Sequence, residues 1–105
     1  MSYIPISLKL LNNYSATYYF CIDSLEDKTI NGLINYLYNR ETHLKKNMDE
    51  LKINLNNCGL FPKKGSYGLV SLKPIPDNGN LLDTKIINEL TNSVVYLLNK
   101  DLSFN

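Results

Sequence analysis

Along the first eleven residues apolar and polar positions alternate. Ile4, Ile6, Leu8 and Leu10 are separated by Pro5, Ser7 and Lys9, the period of two that turns one face of a strand toward a core. Asn12, Asn13, Tyr14 and Ser15 supply turn chemistry, because asparagine tolerates positive φ. Ala16 to Ile22 then resumes with β-branched and aromatic residues. The spacing predicts an N-terminal hairpin with Tyr18, Phe20 and Ile22 inward and Thr17, Tyr19 and Cys21 outward.

At Thr29 the period changes. A hydroxyl placed to cap a helix precedes Ile30, Leu33, Ile34 and Leu37, an apolar stripe at helical spacing. The stripe continues through Leu44, Met48, Leu51 and Leu55 and ends near Asn56, Asn57 and Gly59, good residues for a left-handed stop. An unbroken helix from Ile30 to Asn57 would be about 42 Å long, more than a domain of this size covers, so a break is expected between Asn39 and Thr42. Gly59, Pro62, Gly65 and Gly68 mark a loop, Leu69 to Leu72 a short strand, and Pro74 to Gly79 a turn region. Leu81 to Leu90 reads as a short helical turn, and Ser93 to Leu98 as a central strand buried on both sides or nearly so. The predicted order is β, β, α, β, turn, β in one domain spanning residues 1–105.

Composition narrows the function classes. With 44% hydrophobic and 20% charged residues the chain is expected to fold. A formal charge of +1 provides no field to draw it to nucleic acid or an anionic membrane. Cys21 and Cys58 lack CxxC spacing and read as free thiols of a reducing compartment. No apolar run approaches the roughly 20 residues that cross a bilayer, so a soluble, cytoplasmic protein without direct membrane insertion is expected.

Several short stretches carry a family likeness. Gly59-Leu60-Phe61-Pro62 looks like the Gly-apolar-Pro elbow that follows the helix in ubiquitin-like β-grasp proteins. Asp77 to Asp83, with Ile86 and then Ser93 to Leu97, resembles their turn, leucine, acidic residue, isoleucine and final strand. The opening Leu10-Leu11-Asn12-Asn13-Tyr14-Ser15-Ala16-Thr17-Tyr18-Tyr19-Phe20 is similar to that of the small bacterial YukD/EsaB group associated with type VII secretion. The resemblance implies an α+β fold: a mixed sheet of four to five strands crossed by one helix, with a helical insertion or extension at about residues 40–57. It also implies a noncatalytic protein-binding module, an accessory or regulatory component of a type VII secretion system. A eukaryotic-type ubiquitin-like adaptor fits the pattern nearly as well. Modifiers and sulfur carriers of the superfamily end in Gly-Gly, whereas this chain ends Asp101-Leu102-Ser103-Phe104-Asn105, which disfavours conjugation and sulfur transfer.

The candidate chemistry is sparse. His43 lies in the charged stretch Arg40-Glu41-Thr42-His43 and reads as a surface residue. Neither cysteine has a partner at metal-ligand spacing, so no metal or cofactor is expected. Lys63-Lys64-Gly65-Ser66 lacks the GxxxxGK[ST] of a phosphate loop and reads as a solvated turn. Tyrosine is the one bias with functional content, 8 against 3 phenylalanines, since its large contact area with a polar tip suits interfaces. Lys9, Tyr19, Leu69 and Tyr96 are therefore the candidate protein-binding residues on the outer sheet. Leu44, Met48, Leu51 and Leu55 form a stripe covered either by the chain's own core or by a second copy, which makes them a candidate homodimer interface.

Overall fold

A computed structural model describes residues 2–64, 69–70 and 73–101. The chain builds a mixed five-stranded sheet from β1 (Ile4–Lys9), β2 (Ser15–Phe20), β3 (Cys58–Lys64), β4 (Leu69–Val70) and β5 (Val95–Asn99). Their order across the sheet is β2-β1-β5-β3-β4. β1 and β2 pair antiparallel, β1 and β5 parallel, and β5 antiparallel to β3. Three helices, α1 (Ile30–Arg40), α2 (Thr42–Glu50) and α3 (Thr84–Thr91), complete the α+β fold. The mixed sheet that the resemblance implies and the central place expected for the last strand are both present.

The hairpin loop follows from one asparagine. The Asn13 amide donates to the Leu10 carbonyl and the Leu10 amide to the Tyr14 carbonyl, with Asn13 at φ 70°. A turn followed by one left-handed residue closes a three-residue hairpin loop, and asparagine is among the few residues that take the left-handed conformation readily. The strand ends at Phe20 and the chain turns through a short 3-10 segment at Ile22–Ser24. Cys21, expected outward, is therefore freed from strand alternation and is buried.

The first turn of α1 is fully satisfied. Thr29 Oγ1 accepts from the Gly32 amide at 3.1 Å, while the Ile30 and Asn31 amides donate to the Gly79 and Asp77 carbonyls. The Pro74–Gly79 turn region thus serves as a backbone cap for the helix. Glu41, at φ −100° and ψ 101°, ends α1 and starts α2, which places the break inside the expected interval. The second helix is shorter than expected. The Ile53 amide bonds the Met48 carbonyl and the Lys52 amide the Asp49 carbonyl, the paired bonds of a Schellman stop, with Lys52 at φ 57° where glycine is usual.

One continuous core lies between the helices and one face of the sheet. Ile6, Leu8, Phe20, Leu60, Val95 and Leu97 meet Ile30, Leu33, Ile34, Leu37, Leu44 and Met48 there. The expected loop at Gly59 and Pro62 is instead β3. The Lys63 amide donates to Val94 on the β5 side, so alternation turns the amide positions of Leu60 and Pro62 away from β5. A proline at such a position removes no bond of the β3–β5 ladder. The Gly65 and Gly68 part of the expected loop, and Ser71 and Leu72 of the expected strand, lie outside the described residues.

Two substitutions separate propensity from packing. Lys52→Gly relieves a left-handed side chain and should raise stability by about 1 kcal/mol, read as a higher midpoint in urea melts. Gly32→Ala should lower that midpoint although alanine is the better helix former. A Cβ at Gly32 would stand 2.0 Å from the Asp27 carbonyl oxygen, so the loop before α1 must move.

Candidate functional site

The side of the sheet turned away from the helices is set by strand alternation. On β1 and β2, where Ile6, Leu8 and Phe20 point inward, Pro5, Ser7, Lys9, Ser15, Thr17 and Tyr19 point outward. Lys9 is opposite Tyr96 of β5 in the parallel register, so two of the four candidate binding residues are neighbours. On its other side Lys9 faces Ser15, while Tyr19 faces Pro5. Lys9 and Tyr19 therefore share a face but stand about 13 Å apart along the hairpin. Tyr19 is 67% exposed, the same as Tyr3, and Lys9 and Tyr96 are half-buried. Between them the Ser7 and Thr17 hydroxyls bond at 3.2 Å. The backbone of Leu69 pairs with Lys64 at the far edge of the sheet; its side chain lies outside the described residues.

The outer side is open at one end and closed at the other. Phe61 faces Tyr96, and Leu98 faces Gly59; both large side chains lie on the outer side yet are only 3% and 2% exposed. Beside them a Cβ on Gly59 would lie 3.0 Å from Pro74 and 3.5 Å from the end of Lys100, so the chain around Pro74 lies against this part of the sheet. Among the described residues the open part of the outer side is the β2–β1 half, with Tyr96 at its border. Sequence pattern did not reveal this division, because an unbroken apolar run such as Ser93 to Leu98 does not show which side is covered by what.

The stripe on α2 is accommodated within the chain. Leu44 and Met48 are 0% exposed, and Leu51 and Leu55 are half-buried against the same core. Leu44 and Met48 thus have no accessible surface left to bury against a second copy, whereas Leu51 and Leu55 keep part of theirs. The sheet, α1 and the loop after α2 cover more of the helix than its length suggested, because the helix stops at Glu50. Polar contacts fix its outer side. Asn12 Nδ2 bonds Asn47 Oδ1 at 2.9 Å, and the Tyr38 hydroxyl donates to Asp49 at 2.7 Å beneath the Lys45 ammonium.

No reacting set of groups assembles among the described residues. His43 is exposed on α2, and no group of three His, Cys, Asp or Glu side chains there is arranged to hold a metal. An open trough of about 510 Å³ runs beside α1, between Glu26 and Asp27 on one side and Tyr36 and Arg40 on the other. Its cation is engaged, since Arg40 stacks 5.6 Å from the Tyr36 ring centre. Both cysteines are free and buried. Burial, reinforced by the Asp77 carboxylate and offset in part by Lys100, pushes the Cys58 thiol up to about 11. Burial also raises Tyr18, whose hydroxyl bonds that of Tyr14 at 2.5 Å. Such a thiol is the opposite of an activated nucleophile, which needs a lowered pKa.

Alkaline titration follows from these shifts. From the ordinary thiol value of 9.0 up to about 11, Cys58 ionises in the unfolded chain but not in the folded one. The unfolded state then binds fewer protons, so stability falls as pH rises through that window. Tyr18, raised from 10.0, adds the same sign from that value upward. Melting midpoints should be level below pH 9 and decline beyond it, and Cys58→Ala should flatten the lower part of the decline.

Set beside protein-family models, curated proteins and solved structures, the chain matches none.

Proposed function

We propose that this chain is a noncatalytic, ubiquitin-like protein-binding module that works through its outer sheet surface, most concretely as an accessory or regulatory component of a type VII secretion system. The observation that carries the binding role is the open β2–β1 half of the sheet. There Tyr19 stands 67% exposed, and Lys9 and Tyr96 are paired across strands. Aromatic area with a polar tip beside a single cation favours contact with another protein over contact with a polyanion, which would call for several cations. The ubiquitin-like assignment rests on the sequence stretches that resemble that superfamily, together with a parallel β1–β5 pair at the centre of a mixed sheet. The secretion role rests on the resemblance of the opening hairpin alone.

Affinity capture with the tagged chain, followed by mass spectrometry, identifies the partner. The double substitution Lys9→Glu, Tyr19→Ser should then weaken that partner at least about tenfold, roughly 1.4 kcal/mol. Because both side chains lie on the outer face, the melting midpoint should barely move. Unchanged affinity in the double variant would remove this surface from consideration. A gene lying far from any secretion ATPase and from small helical secreted substrates would remove the secretion role and leave a general binding module.

A further inference from the structure

We propose that β2 is a self-complementary edge through which two copies of this chain pair, antiparallel and centred on Thr17, to join their sheets. The sheet has two edges, β2 and β4. Among the described residues β4 spans two, Leu69–Val70, and a very short strand is one of the ways proteins blunt an edge. β2 is six residues long, Ser15–Phe20, with an uninterrupted register against β1. It contains no proline and no charged residue. The usual protections of a long edge are missing from it.

Hydrogen-bond parity shows what the edge offers. The Leu10 amide donates to the Tyr14 carbonyl, and the register carries that phase through the pairs Leu8–Ala16, Ile6–Tyr18 and Ile4–Phe20. The amide and carbonyl groups of Ser15, Thr17 and Tyr19 consequently point away from β1. Among the described residues no backbone bond joins these groups to any other element. Ser15, Thr17 and Tyr19 are all exposed. A donor and an acceptor therefore recur at every second residue without a backbone partner among the described residues.

A second copy of the same strand satisfies this pattern. Turned about a two-fold axis through Thr17, the copy places Thr17 opposite Thr17 and Ser15 opposite Tyr19, and about six backbone bonds form in phase. Threonine pairs and serine beside an aromatic ring are compatible cross-strand neighbours. Two-fold pairing sets like against like, so any charge at the centre would oppose itself; β2 carries none. The same self-matching favours a second copy over a foreign strand, for which the edge holds no selective charge. This interface is separate from the α2 stripe and leaves Lys9 of β1 outside the new strand pair.

Sedimentation equilibrium of the full chain should show a species of twice 12.0 kDa at high concentration, dissociating on dilution. Thr17→Pro removes an outward amide and no β1–β2 bond, and Thr17→Lys sets two cations face to face. Each should weaken the dimer at least about tenfold, whereas Thr17→Val, which keeps the amide, should not. Amide exchange on the unsubstituted chain gives a readout that does not depend on any variant folding. The Ser15, Thr17 and Tyr19 amides should become protected as concentration rises. A monomer at every concentration, a dimer indifferent to Thr17→Pro and Thr17→Lys, or three edge amides exchanging at a concentration-independent rate would each overturn the proposal. So would protection of those amides that appears only when another protein's strand is added.

Discussion

The fold depends on the placement of β5. Val95 and Leu97 are buried on one side of the strand and Leu98 on the other, with Tyr96 alone of these four half-exposed, so the strand lies inside the sheet with cover on both faces over most of its length. It does so by pairing with the first strand in parallel and the third in antiparallel fashion. Parallel strands cannot be joined by a tight turn. The chain between β1 and β5 is therefore long, and besides β2, β3 and β4 of the same sheet it supplies the helices that cover the inner face and the segment around Pro74 that lies against part of the outer one.

That connection is secured by backbone groups more than by side-chain charges. The carbonyls of Asp77 and Gly79 receive the first amides of α1, and Thr29 makes an isolated bridge with Asn80. Asn99 of β5 holds the loop after α2 from both sides, accepting from the Asn54 amide and donating to the Lys52 carbonyl. Lys100 reaches Asp77 across the same region. Short amides and carbonyls lose little side-chain entropy when fixed, which suits a chain whose loops are rich in asparagine.

What was legible in the sequence was periodicity, and what escaped was geometry at single residues. The alternation of Ile4, Ile6 and Leu8 and the 3,4 spacing from Ile30 to Leu37 both mark buried faces, because each reports one side of one element. The helix stop was misplaced because Lys52 takes a left-handed conformation for which lysine carries no signal. Gly59 and Pro62 pointed to a loop, since propensity does not record that a proline facing away from the ladder costs no bond there. At the candidate site, the outward direction of Lys9 and Tyr19 is legible from alternation, but the distance between them depends on the hairpin register that the loop around Asn13 determines, and the place of Lys9 opposite Tyr96 depends on the β1–β5 register. The α2 stripe was read correctly as apolar. Whether it met its own domain or another was decided by tertiary packing alone.

The two sides of the sheet are therefore unequal in a way that bears on function. Inner positions are filled by a single continuous core, and the outer positions of β3 and β5 lie under the chain's own cover, with Phe61 and Leu98 nearly inaccessible. Among the described residues the hairpin keeps an open outer face of small hydroxyls, one lysine and exposed tyrosine, beside an edge whose outward amides have no backbone partner there. A face can change its contacts without disturbing the core beneath it, since successive side chains point to opposite sides. An edge can likewise add a strand without breaking the ladder on its other flank. Stability thus rests on one set of alternate residues of these two strands, and the proposed recognition on the other. In a chain of 105 residues, with so little surface to spare, that alternation allows one hairpin to serve both.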